Sequence, residues 1–195
     1  MGKTKGSEAA APSAEGLARA AGEARKKGPP PVHLWNPPDC GAIDMRIARD
    51  GTWFHEGTPI GRPAMVRLFA SILRLDPEGF VLVTPVEKVR IRVDDAPFVA
   101  QDVDAEGAAL RFVTNVGDEV LAGPDNPIRV ARDPATGEPS PYVHVRRGLE
   151  ARIDRKTFYR LVERGEVRAH EGRDWFGVVS QGAFFPIQPA EELEA

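Results

Sequence analysis

Residues 60–68 read Ile-Gly-Arg-Pro-Ala-Met-Val-Arg-Leu, and residues 153–161 read Ile-Asp-Arg-Lys-Thr-Phe-Tyr-Arg-Leu. Both follow the pattern Ile-x-Arg-x-x-apolar-x-Arg-Leu. The offset is constant at 93 (155 − 62 and 160 − 67), and it also lays Glu78-Gly79 on Glu171-Gly172. A match that continues beyond the element in which it starts points to an internal duplication rather than to two unrelated amphipathic helices. Met65, Leu68, Phe69, Ile72 and Leu73 fall at i, i+3, i+4, i+7 and i+8, and Phe158, Leu161 and Val162 repeat the first three positions. This is the stripe of a helix with one face on a core. The spacing predicts helices over about 62–75 and 155–164, with Arg67 and Arg160 off the stripe. Pro63 suits a first helical turn, Asp154 an N-cap, and Gly165 a C-terminal stop.

Working outward, residues 43–48 and 52–56 flank Asp50-Gly51, a hairpin signal. Branched and alternating runs predict further strands at 80–84, 86–93, 97–103, 108–114, 128–131, 142–147, 167–170, 175–180 and 183–187. The expected class is α+β: two related units, each of antiparallel strands with one main helix. Residues 29–96 form the first unit and 97–189 the second. Residues 1–28 have little to bury and read as a disordered tail with at most a transient helix over 15–26. Residues 190–195 read as a frayed end. Pro29-Pro30-Pro31 opens an extended segment anchored by Trp35.

A chain of 195 residues, 42% hydrophobic and 28% charged, has the make-up of a soluble globular protein. The net charge of −3 gives no overall pull toward nucleic acid or membranes. No apolar run is long enough for a membrane span, and no signal-peptide core is present. The single cysteine, Cys40, excludes an internal disulfide framework, and the expected location is cytoplasmic. There is no G-x-S-x-G, Walker loop, G-x-G-x-x-G or H-E-x-x-H. Cys40 with His33 and His55 lacks paired-ligand spacing. Asp102–Gly107 starts like a calcium loop but has Val113 where the loop's last glutamate belongs. No catalytic residue, metal or cofactor is therefore expected.

The charges cluster. From Arg146 to Arg160 six basic residues face two acidic ones. Arg guanidinium matches phosphate and carboxylate in a planar fork, and helix starts near Arg62 and Arg155 add N–H donors. The candidate ligand-binding set is Arg62, Arg67, Lys88, Arg90, Arg146, Arg147, Arg152 and Arg155, with Trp53 and Tyr142 as stacking partners.

Several motifs carry a resemblance. Cys40-Gly41-Ala42-Ile43-Asp44-Met45, Asp50-Gly51-Thr52-Trp53-Phe54, Thr84-Pro85-Val86-Glu87-Lys88-Val89, the stretch Pro141–Glu150, and Gly182-Ala183-Phe184-Phe185 resemble a bacterial family known only as domain of unknown function 1285. The resemblance implies a duplicated α+β architecture whose C-terminal half is loosely similar to pleckstrin-homology-like folds. It also implies a ligand, nucleotide-like, held between the halves. The expected function is thus binding of a small anionic, nucleotide-like ligand at the junction of the units, in signal transduction. The alternative is a protein-interaction module with a protein partner; an uncharacterised hydrolase comes third.

Overall fold

The computed structural model describes residues 11–193, in two compact units. One comprises the described residues up to Arg46 together with Phe54–Arg92; the other comprises Ile47–Trp53 and the described residues from Val93 onward. The class is α+β, as expected.

In the first unit, helix α1 (Ala14–Arg25) is followed by a 3-10 turn (Val32–Leu34). Strands β1 (Asp39–Ile47), β2 (Trp53–His55) and β3 (Thr58–Pro59), helix α2 (Pro63–Ser71), and strands β4 (Leu73–Asp76), β5 (Gly79–Val83) and β6 (Lys88–Val93) complete it. The sheet order is β3-β2-β1-β6-β5-β4. Phe69, Ile72, Leu73, Leu82 and Val89 are fully buried or nearly so. Helix α2 is shorter than the stripe suggests. It ends at Ser71, because Leu73 pairs with Leu82 and Leu75 with Phe80 in the β4–β5 hairpin. The alternation of Leu73 and Leu75 is strand spacing that also happened to fit the helical stripe.

The reading of residues 1–28 as disordered is corrected where the structure describes them; residues 1–10 lie outside the described residues. Residues 14–25 form α1, which packs against α2 and buries Leu17 and Ala21 completely. The Ser13 hydroxyl caps it by accepting from Gly16 N–H. The residues 190–193 are likewise not frayed: Ala190–Glu192 is a 3-10 turn, and Glu192 pairs with Arg132 at 3.0 Å. In the proline segment Val32 is the buried anchor and Trp35 is only half-buried.

The second unit begins with β7 (Phe98–Glu106), β8 (Ala109–Thr114) and β9 (Glu119–Leu121). Then come β10 (Ile128–Arg132), β11 (Pro139–Arg146), β12 (Leu149–Ile153), helix α3 (Arg155–Val162), and β13 (Glu166–His170), β14 (Arg173–Ser180) and β15 (Ala183–Pro189). One sheet runs β10-β11-β12-β7-β8-β9 and a second runs β13-β14-β15. The β12–β7 pair is parallel, an exception to the antiparallel expectation.

The duplication is visible in the order of elements. Three strands, a helix and a three-stranded meander occur twice, as β1–β6 around α2 and as β10–β15 around α3. The sheet order β3-β2-β1-β6-β5-β4 returns as β12-β11-β10 and β15-β14-β13, with β15 lying beside β10 as β6 lies beside β1. Strands β7–β9 have no counterpart among the described residues of the first unit. The same tight turn recurs: Glu56-Gly57, Arg147-Gly148, Glu171-Gly172 and Gln181-Gly182 are two-residue hairpin loops with both residues at positive φ. This is the turn whose twist matches paired strands.

The two helices start differently. Arg62 sits at the N-cap of α2 without a side-chain bond, whereas Asp154 caps α3 by accepting the Thr157 N–H at 2.7 Å. Asp154→Ala is expected to cost about 1 kcal/mol, read as a lower urea midpoint, with Asp154→Asn retaining most of the stability.

Candidate functional site

The β10–β11–β12 register places Arg129 opposite Tyr142 and Tyr142 opposite Arg152. Side chains alternate across a sheet, so these three share one face while Ile128, Val143 and Ala151 point into the core. The tip of the β1–β2 hairpin, residues 47–53, belongs to the same unit. Its turn is held by Thr52 N–H on Asp50 Oδ1 at 2.9 Å. Gly51 (φ 87°) lies so close to Val99 and Asn115 that a Cβ there would sit 2.6 Å from the Asn115 amide nitrogen. The tip therefore delivers Arg49 to the row.

The centre of the group is Asp95. Its Oδ1 accepts from the Tyr142 hydroxyl at 2.7 Å. Its buried Oδ2 accepts no hydrogen bond among the described residues; Arg49 Nε stands 3.5 Å away and Arg152 Nε 3.7 Å. These are ion-pair contacts, longer than a good N–H···O bond. Arg152 Nε and Nη2 reach the Arg49 carbonyl at 3.4 and 3.3 Å, and Arg49 Nη2 reaches Ser140 Oγ at 3.5 Å. Arg129 is held differently: it is bidentate to Glu150 at 2.7 and 2.5 Å and lies 4.2 Å over the Tyr142 ring. Burial, and then the Asp95 hydrogen bond, raise the Tyr142 phenol above its ordinary value, so it stays a donor. Asp50 and Asp133 are engaged by the N–H groups of their own turns. Arg49 and Arg152 are thus gathered but loosely bound.

The ten residues singled out from the sequence separate. Arg152 and Tyr142 come together in this group. Tyr142 is buried, with Arg129 over its ring, and Trp53 is 1% exposed, so the expectation that these two stack on a ligand is corrected. Arg146 pairs with Asp118 and lies over the Phe98 ring at 4.9 Å. Arg147 is exposed in the β11–β12 turn, at the opposite end of β12 from Arg155. Arg155 bonds the Tyr159 hydroxyl at 3.0 and 3.1 Å. In the first unit Arg62 and Arg67 are exposed on α2, and Arg90 is 3.9 Å from Asp39. Lys88 bonds Asp76 at 3.1 Å where both side chains are little exposed, so it is not a free cation. Arg49, Arg129 and Asp95 were missed. The alternation Ile128-Arg129-Val130 could have flagged Arg129, but nothing local links Asp95 to Arg49.

Among the described residues no three His, Cys, Asp or Glu side chains group as metal ligands would, and no helix is long and apolar enough to cross a membrane. Residues 30–96 match the domain described as "Domain of unknown function (DUF1285), N-terminal domain", and residues 97–187 match the corresponding C-terminal domain. The chain belongs to the DUF1285 family. A DUF1285 family protein from Silicibacter pomeroyi DSS-3 is 63% identical, with a TM-score of 0.82 over 92% of this chain and 98% of that one. A second, from Shewanella baltica OS155, is 30% identical with a TM-score of 0.49, over 61% of this chain and 90% of that one. No curated protein matches. Both DUF1285 relatives are described by their family alone, so the function of the arginine row rests on its own chemistry.

Proposed function

We propose that this DUF1285 protein binds a small anion, a phosphate- or carboxylate-bearing metabolite, at Arg49 and Arg152. One observation carries the reading: two guanidiniums converge on Asp95 Oδ2 at 3.5 and 3.7 Å without a hydrogen bond to it. A guanidinium fork bonds phosphate or carboxylate oxygens bidentately, each charge-assisted bond being worth about 1.5–3 kcal/mol. Asp95 Oδ2, Ser140 Oγ and the Arg49 carbonyl keep the two guanidiniums close together, so little ordering is needed on binding. With Trp53 buried and Tyr142 covered, a stacked base has no platform in this row, and the anionic group is the part recognised.

The test is a thermal-shift series with inorganic phosphate, pyrophosphate, citrate and mononucleotides at low and moderate salt. At least one anion is expected to raise Tm, less so as salt rises, and Arg49→Ala and Arg152→Ala are each expected to remove the shift. A wild type that responds to none of them, or variants that respond as it does, would overturn the proposal.

A further inference from the structure

The duplicated meanders end in equivalent edge strands, β4 in the first unit and β13 in the second, and the two edges are treated differently. The 3-10 turn at Val32–Leu34 packs against β4, and Arg74 of β4 donates to the carbonyls of Val32 and Trp35 at 2.8 and 2.7 Å. No segment among the described residues pairs with the outer side of β13. Four of its five residues are exposed, including Val167 at 51%. An uncovered edge is a template for another strand.

The register shows which groups β13 offers. Its hairpin to β14 closes with His170 opposite Arg173 around the two-residue loop Glu171-Gly172. Such a loop is closed by a hydrogen-bonded pair. His170, Arg168 and Glu166 therefore turn their backbone groups toward β14, and Val167 and Ala169 turn theirs outward. Two copies of β13 can pair antiparallel with Val167 opposite Val167. This register puts outward N–H and C=O groups face to face and sets Glu166 opposite the second copy's Arg168, twice by symmetry. The Glu166–Arg168 pair already formed within each strand shows that both side chains lie on one face. The neighbouring register, centred on Arg168, would set two arginines opposite each other where side chains are closest. Between these two registers the charge pattern selects the one centred on Val167.

We infer that the protein forms a two-fold homodimer through β13, each edge completing the other's three-stranded sheet into one of six strands. The contact is isologous and closes on itself, so it ends at two chains. It is independent of the arginine row.

The experiment is sedimentation velocity of the full chain from micromolar to millimolar, for wild type, Glu166→Arg, Arg168→Glu, Val167→Pro and an equimolar mixture of the two charge variants. The wild type is expected to dimerise. Each charge variant sets like charges opposite and is expected to weaken the dimer by about tenfold or more. The mixture is expected to associate again, because the carboxylate introduced at position 168 of one variant then meets the guanidinium introduced at position 166 of the other. Val167→Pro removes an outward N–H without touching the ladder to β14 and is expected to abolish association. A monomeric wild type, a dimer indifferent to these substitutions, or a mixture that stays apart would each overturn the inference.

Discussion

Asp76→Ala is expected to lower the stability of the protein by about 3–5 kcal/mol, the cost of leaving buried cations without their counter-ion. Arg74 Nε and Nη2 bond the two Asp76 oxygens at 2.6 and 2.8 Å, and Lys88 Nζ bonds Oδ2 at 3.1 Å. Side-chain exposures are 15%, 11% and 19% for Arg74, Asp76 and Lys88, so the three charges are poorly screened. The same Arg74 holds Val32 and Trp35, so losing Asp76 also loosens the proline segment. The Arg74 hydrogen bonds, more than Lys88, hold the Asp76 carboxyl below its ordinary value of 3.8 against the opposing effect of burial. Folding therefore favours the ionised form. The stabilisation is complete above the unfolded-state value and disappears as pH falls through the lower folded value. Urea titrations across the acidic range will show it: the wild type should lose stability there, and Asp76→Ala should lack that component. Equal midpoints at neutral pH would contradict the account.

Removing residues 1–27 is expected to lower Tm by roughly 6–12 °C, corresponding to about 3 kcal/mol in a chain of this size. Full burial of Leu17 contributes roughly 1.5–3 kcal/mol, and the loss of α1 also uncovers the face of α2 on which it packs. Leu17→Ala alone should account for about 2–3 kcal/mol, since it opens a cavity where the helices meet. Calorimetry of the three proteins checks this. An unchanged Tm on truncation would mean that the helix does not dock in solution.

The repeated core was legible because two kinds of periodicity mark it. The stripes of α2 and α3 and the alternation of the meanders are set by the need to bury one face, and that need leaves a trace in sequence. Helix α1 left a weaker trace. Ala is the best helix former and buries little, so Leu17 and Ala21, four apart, suffice for a narrow seam while the segment's composition still looks solvated. Strand β12 was hidden for another reason: Leu149-Glu150-Ala151-Arg152-Ile153 alternates cleanly, yet its charged members lie inside a basic run that reads equally well as a surface cluster. Its parallel pairing with β7 is a long-range contact that no local signal announces. The site was legible only in part. Tyr142 and Arg152 could be named as residue types suited to an anion, but whether Tyr142 is free or covered depends on Arg129, which the β10–β11 register brings opposite. Asp95 and Arg49 meet only through tertiary structure. Sequence could list cations; it could not sort Lys88, committed to Asp76, from Arg49, held at 3.5 Å.

The sharpest test of the arginine row removes the carboxylate around which it gathers. Asp95→Asn keeps an acceptor for the Tyr142 hydroxyl while deleting the charge that Arg49 and Arg152 share. Calorimetric titration of pyrophosphate into wild type, Asp95→Asn and Asp95→Asn/Arg152→Ala should give binding about tenfold or more tighter in the single variant than in wild type, because a repelling charge within a few ångströms is gone. The double variant should lose that gain. Pyrophosphate binding that Asp95→Asn leaves unchanged, or a gain that persists in the double variant, would show that these arginines serve only the fold.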